Sequence, residues 1–281
     1  IPQMRRLFGY DRAMVYRFAP DWSGKVIAED RRQGLESFLG QHFPSTDIPA
    51  QARELYRRSL IRVIGDARFQ RVAVIEEPGL PALDMSFMHL RAVSPVHCEY
   101  LGNMGVRASM SVSLVVDGQL WGLIAFHHYM PRQLTQPERT TAKMLGEFLA
   151  LQIIALVRKR RLGLLHGAHG FLSGFLRDAP RVSDIFGYFR DRISELLDII
   201  ECDGGGVWID GSWTARGENL PPVDLAHILR VADARADGQI WHTDHLTHDC
   251  PGLGADAHGI AGAMVMPIWP ARRDYLILFR R

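Results

Sequence analysis

The chain has 281 residues, 47% of them hydrophobic and 23% charged, and 33 Lys and Arg against 31 Asp and Glu leave a net charge of +2. This is the composition of a globular protein long enough for two domains with cores of their own, and the near balance of charge gives no mandate for nucleic acid or a membrane surface. No secretory leader is visible and no apolar run is expected to reach the ~18 residues of a membrane span. Three cysteines (Cys98, Cys202 and Cys250) are too few and too odd in number for a disulfide framework, which points to a reducing, cytoplasmic setting. Residue 1 is Ile rather than Met, the mark of a fragment or a processed chain.

Pro2 to Phe8 reads as the end of an entering helix. In Asp11 to Phe18, Met14, Tyr16 and Phe18 alternate onto one face and predict a half-buried strand, with Gly24 to Glu29 as its hairpin mate. Gly34 to Asp47 is irregular yet carries Leu35, Phe38, Leu39 and Phe43, so it is expected to be a packed loop or a ligand lid. Pro49 suits the first turn of a helix over Ala50 to Ser59, and Asp47 suits a capping place at its positive end. Arg62 then opens a strand, and Arg68 to Leu90 is a connection broken up by Pro and Glu.

Ser94-Pro95 is a helix-start signal, Val96 to Asn103 makes about two turns, and Gly105 suits the left-handed residue past its end. Ser109, Ser111 and Ser113 alternate with Met110, Val112 and Leu114, a strand with one polar and one apolar face. Asp117-Gly118 is a strong hairpin signal, and Gln119 to His128 returns as the partner strand. Helix and hairpin can then face one space with His97, Tyr100, Ser109, Ser111 and His127, with Arg91 at its edge. Each has a plainer role to set beside this: a satisfied helix histidine, a core tyrosine, the wet face of a sheet.

Pro137 to Arg161 predicts a long helix from Met144, Leu145, Phe148, Leu149, Ile153, Ile154 and Leu156. Its basic end, Arg158-Lys159-Arg160-Arg161, reads as a solvated face rather than a nucleic-acid patch. A glycine-rich break over Gly163 to Gly174 is expected to open a second domain, with an amphipathic helix over Arg181 to Ile200. Gly204 to Ile209, Gly211 to Arg216, Leu225 to Ala232 and Gly262 to Ile268 mix strand and helix patterns. Tyr275 to Phe279 is a buried strand with no element after it to close its sheet.

Four separated motifs, DRAMVYRF, FPSTDIPAQARELY, LRAVSPVHCEYLGNMGVRASM and GQLWGLIAFHH, together resemble the photosensory core of a bacteriophytochrome, a red/far-red light receptor. GQIWHTDHL and DYLILFRR are similar to the phytochrome-specific PHY domain. The resemblance implies an α+β fold: a GAF domain over 1–140 (antiparallel sheet flanked by helices), a connecting helix over 141–172, and a GAF-related PHY domain over 173–281 that is expected to be incomplete, without its tongue. It implies a linear tetrapyrrole, biliverdin, in the first domain. Arg62, Arg91 and Tyr56 match positions at one propionate, Ser109 and Ser111 positions at the other. Asp47 and His97 match groups facing the pyrrole nitrogens, and Tyr16, Tyr100 and His127 the surroundings of the ring that rotates. Phe43 and Ile48 complete the implied contacts.

Two features depart from the pattern. Bacterial members attach biliverdin through a cysteine in a PAS domain ahead of the GAF domain, and Val96 stands where plant and cyanobacterial members carry theirs, so the attachment cysteine is expected to be missing from this chain. Cys98 lies two helical steps further on, about 200° around, and reads as a packing thiol. The arginine motif of the PHY hairpin called the tongue is not recognisable before Arg281, and neither are kinase motifs. The resemblance therefore implies a sensor without catalysis of its own, a homodimer through its helices and a downstream kinase or response regulator. Two rivals stand beside it. One is a GAF-type sensor of a non-light small molecule on the same fold. The other is a metal or hydrolase site among His242, His245, His248, Asp249, Cys250 and His258.

Overall fold

The structure is a computed structural model; it describes residues 1–75, 78–79, 81, 83–236, 238–253, 257–269 and 273–281. Parts of the connection expected over 68–90 and of the His-rich stretch lie outside the described residues. The chain divides into two compact units, Ile1–Arg158 and Lys159–Arg281.

The first unit opens with α1 (Pro2–Phe8), which ends on left-handed Gly9, followed by β1 (Arg12–Phe18), β2 (Gly24–Arg31) and the short β3 (His42–Phe43). Then come α2 (Ala50–Arg58), β4 (Ile61–Ile64), α3 (Pro95–Asn103), β5 (Ala108–Val116) and β6 (Gln119–His128). The strands form one six-stranded sheet in the order β3-β2-β1-β6-β5-β4, and each neighbouring pair is antiparallel. Asp117 and Gly118 both take positive φ, 48° and 78°, the mirror-image turn that matches the twist of a hairpin.

Alternation along the strands gives this sheet two unlike faces. On one, Ala13, Met110, Val112, Ile124 and Phe126 form a core with Met4 and Phe8 of α1 and with α4 (Gln136–Asp178). Small residues Ala142, Gly146 and Ala150 let α4 lie close: a Cβ on Gly146 would come within 2.3 Å of Val112 Cγ1. On the other face Met14, Tyr16, Phe18, Val26 and Leu123 gather Phe38, Phe43, Ile48 and Tyr56. The loop after β2 is packed down rather than free. Arg12 and Glu29, both almost fully buried, form an ion pair, and Arg12 also donates to Glu36 O (2.7 Å) and covers the Phe38 ring at 3.8 Å. Glu29 accepts from Ser37 Oγ (2.6 Å) and Phe38 N (3.1 Å). Burial alone would raise the Glu29 pKa, but these donors and the Arg12 charge bring it below the ordinary value.

The long helix corrects two expectations. α4 has 43 residues and passes through Gly163, Gly167, Gly170 and Gly174, so the expected glycine-rich break is helical. Gln136–Arg181 is also long and apolar enough to cross a membrane by length and composition. In the first unit that apolarity belongs to two opposite stripes, one in the core and one exposed through Met144, Phe148 and Leu151.

In the second unit the single helix expected over 181–200 is two: α5 (Ile185–Asp191) and α6 (Ile193–Ile199), broken at Arg192 and preceded by a 3-10 turn at Ala179–Arg181. Asp184 caps α5 by accepting from Phe186 N and Gly187 N. The rest runs β7 (Gly204–Ile209), β8 (Ser212–Gly217), α7 (Pro222–Ala236), β9 (Trp241–Thr243), α8 (Leu246–Asp249), β10 (Gly262–Trp269) and β11 (Asp274–Arg280). The sheet order is β8-β7-β11-β10-β9, so β11 is hydrogen-bonded on both sides by β7 and β10. The expectation that nothing closes the sheet fails for that reason: the last strand is its centre.

Candidate functional site

A cavity of about 710 Å³ lies on the sheet face of the first unit that is turned away from α1 and α4. That is within the usual range of small-molecule sites. Arg62 and Ile64 of β4 and Ser109 and Ser111 of β5 form its floor; Ala52, Leu55 and Tyr56 of α2 form one side. His97 and Tyr100 of α3 face in from another side, and Leu83, Met85, Ser86 and Arg91 come from the connection before it.

Strand register explains why the polar groups meet. Arg62 pairs with Ser111 and Ile64 with Ser109, so guanidinium and hydroxyls project from the same face one residue pair apart. Ser109 in turn pairs with His127, and His127 with Arg12, which continues the row across the sheet. Arg62 donates to Ser86 O (3.2 Å) and Arg91 to Met88 O (3.1 Å), and neither enters an ion pair among the described residues. Burial lowers the pKa of both, and Arg62 lowers that of Arg91 further, while Tyr56 acts the other way on each. Arginine stays charged regardless, so the cavity carries two positive charges with no carboxylate paired to them among the described residues.

The imidazoles and phenols around the cavity are shifted toward their neutral forms. Burial, then Arg62 and Arg91, push the His97 pKa down. His127 is driven to about 3 by burial, Arg12 and His97, and its Nδ1 is buried without a hydrogen-bond partner among the described residues. Tyr100 stacks on His97 (centroids 6.2 Å apart) and donates to Asp47 Oδ2 at 3.3 Å. Burial and Asp47 raise the Tyr16 and Tyr100 phenols to about 12. Asp47 does not cap α2: the N-cap residue is Pro49, and the Asp47 carboxylate faces Tyr100 instead.

Nine of the twelve residues singled out above line the cavity: Asp47, Ile48, Tyr56, Arg62, Arg91, His97, Tyr100, Ser109 and Ser111. Tyr16 and Phe43 stand behind it in the apolar cluster that Ile48 and Tyr56 cap, and His127 is sealed in the sheet beside Ser109. Cys98 is half-buried and is not among the lining residues. The sequence reading overlooked Leu55 and Ala52, although their spacing to Tyr56 puts all three on one side of a helix. It also overlooked Arg53, which donates to Ile48 O (2.6 Å) and fixes the turn carrying Asp47. Leu83, Met85 and Ser86 come from a connection without periodicity and left no signal. In the second unit the described His-rich residues bring no three His, Cys, Asp or Glu side chains together to hold a metal. Asp249 is engaged by Thr243 Oγ1 (2.6 Å) and Arg235 (3.1 Å), which hold its carboxyl down at about 2.

Residues 3–153 match the model of the GAF domain and residues 170–281 that of the phytochrome region. The chain belongs to the phytochrome family. A bacteriophytochrome of Pseudomonas aeruginosa is 38% identical over 267 residues, covering 92% of this chain and 36% of that protein. One of Xanthomonas campestris pv. campestris is 36% identical over 99% of this chain and 46% of its own length. Cyanobacterial phytochrome B of Nostoc sp. is 32% identical over 99% of this chain. A crystal structure of a bacteriophytochrome from R. palustris superposes with a TM-score of 0.77 at 31% identity, covering 99% of this chain and 57% of that one. The chain thus spans between 36% and 46% of these bacterial relatives' length.

Proposed function

We propose that this chain is the light-sensing part of a bacteriophytochrome, holding biliverdin in the cavity of the first unit. The single observation that carries the reading is the pair of arginines, Arg62 and Arg91, that line one cavity with Ser109 and Ser111 and enter no ion pair among the described residues. An apolar plate with two carboxylate arms meets that need, since each arm would be costly to bury without a cation or hydroxyl partner.

When bound, the pigment would supply a conjugated double bond that light can isomerise. The protein's part is to fix the acid arms with Arg62, Arg91, Tyr56, Ser109 and Ser111, and to offer neutral imidazoles and phenols at the other end. Asp47 and Tyr100, already joined, would exchange partners between the red- and far-red-absorbing states and bias a two-state element. The division into a pigment domain (1–140), a connecting helix (141–172) and a PHY domain (173–281) belongs to the same reading. So do a cytoplasmic location, a downstream kinase or response regulator as output, and no catalysis by the chain itself. A homodimer through α4 is supported by its exposed Met144, Phe148, Leu151, Leu162, Leu165 and Leu172, which keep the three-four spacing of a helix seam.

The test is an absorbance spectrum after biliverdin is added, before and after red illumination. A new far-red-shifted band that changes with light is expected. A charge-assisted hydrogen bond is worth ~1.5–3 kcal/mol, so Arg62→Ala with Arg91→Ala should weaken uptake at least about 100-fold. Unchanged uptake in the double variant removes the arginines from their role. A protein that leaves the pigment spectrum untouched returns the cavity to a sensor of another small molecule.

A further inference from the structure

We infer that Gly24 is a positioning residue: its missing side chain is the recess that keeps the Tyr16 phenol out of the cavity and sets the room in which a bound tetrapyrrole's terminal ring turns. The ligand half of this rests on the function proposed above; the contact itself does not.

Tyr16 of β1 stands opposite Val26, and Gly24, two residues along β2, stands opposite Phe18 and, on its other side, Phe43 of β3. Diagonal neighbours of this kind share a face and lie within reach of an aromatic side chain. A Cβ on Gly24 would fall 1.8 Å from Tyr16 Cζ and 2.0 Å from both Cε1 and Oη. The ring therefore lies across β2 with its hydroxyl end on the bare Cα of Gly24, and reaches Phe43 (centroids 5.8 Å apart) on the next strand. Gly24 is not one of the glycines at positive φ, so the space it leaves, and not backbone freedom, is what Tyr16 uses.

An alanine here would meet the end of a side chain and not backbone, so the strand can stand while the phenol moves. Phe18, edge-on at 5.2 Å, and Phe43 close two directions. Of the other cluster members, Met14, Val26, Leu120 and Leu123 belong to the sheet itself, while Ile48 and Tyr56 line the cavity and Asp47 and Tyr100 are near enough to act on the Tyr16 phenol. Displacement therefore carries the phenol toward Asp47, Tyr100 and the cavity, narrowing the end assigned to the mobile ring.

The first measurement needs no pigment. In protein labelled with 3-fluorotyrosine, the Tyr16 resonance is identified by its loss in Tyr16→Phe; Gly24→Ala should shift it and leave most other tyrosine resonances in place. An unmoved Tyr16 resonance overturns the inference. The second uses the protein loaded with biliverdin. Gly24→Ala should lower the photoconversion yield several-fold and raise fluorescence, and the same change made in a Tyr16→Ala background should have little effect. An equal loss in both backgrounds overturns the claim that Gly24 acts through Tyr16. If the unaltered chain takes up no pigment, the proposed function and the ligand half of the inference both fall, while the fluorine spectra still decide the contact.

Discussion

His127 gives the sharpest quantitative expectation. It is buried in β6 between Ser109 and Arg12, and burial, Arg12 and His97 together hold its pKa at about 3. In the unfolded chain a histidine titrates near ~6.5. Between pH 6.5 and 3 the unfolded chain thus binds a proton that the native chain refuses, and stability falls as pH falls through that window. At full slope this amounts to ~1.4 kcal/mol per pH unit. Between pH 7 and pH 5 the onset of the titration leaves a loss of about 2 kcal/mol from this one ring. His127→Gln removes the titrating group and keeps a polar side chain of similar reach. Urea unfolding of the unloaded protein, followed by hydrogen exchange in the β5–β6 segment, reads the stability of this sheet separately from the second unit. The variant should lose about 2 kcal/mol less than the parent between pH 7 and pH 5. Equal losses in the two proteins would refute the assignment of a sealed, neutral imidazole to this position.

The Arg12–Glu29 pair predicts an asymmetry between single and double replacement. Arg12→Met alone should cost about 3–5 kcal/mol because it strands the Glu29 carboxylate, whereas Arg12→Met with Glu29→Met should cost far less; a single variant no worse than the double would count against a buried, matched pair. On α4, Leu162→Glu with Leu165→Glu should convert a dimer to monomer in light scattering and leave the far-UV spectrum intact, and a dimer that survives both changes takes this stripe out of the interface.

What could be foreseen divides along a physical line. Local chemistry spoke clearly: Asp117-Gly118 fixes a turn with two positive φ angles, and the serine alternation in β5 separates cavity face from core face to the residue. Where tertiary packing outweighs a local preference, the reading failed. Each glycine within α4 costs a helix about 1 kcal/mol on its own. Gly167, though, lets Ile199 of α6 approach to where a Cβ would sit 3.3 Å from it, so packing makes use of a residue that the local pattern treats as a break. Strand order is the other blind spot. Tyr275 to Phe279 is equally apolar at the edge or the centre of a sheet, and pairing with β7, some 70 residues earlier in the chain, places it at the centre. Asp47 is a third case: a carboxylate two residues before a helix fits a cap by sequence, but Tyr100, far along the chain, takes it.

The proposed site draws its two characters from one cause. Arginines at one end of a partly buried wall stay charged because their pKa lies far above any working pH, even after burial lowers it. Burial first, and then the same Arg62 and Arg91 charges, lower the pKa of His97, while burial, Arg12 and His97 do so for His127. A neutral imidazole has one donor and one acceptor nitrogen, where an imidazolium has two donors, so the cations that would grip acid arms also bear on the hydrogen-bonding repertoire of His97. Neutralising one arginine should therefore do more than loosen an arm: with Arg62→Met, the His97 ring should titrate at higher pH, readable by NMR in the unloaded protein. An imidazole whose titration did not move would uncouple His97 from Arg62, and leave burial and Arg91 to account for its lowered pKa.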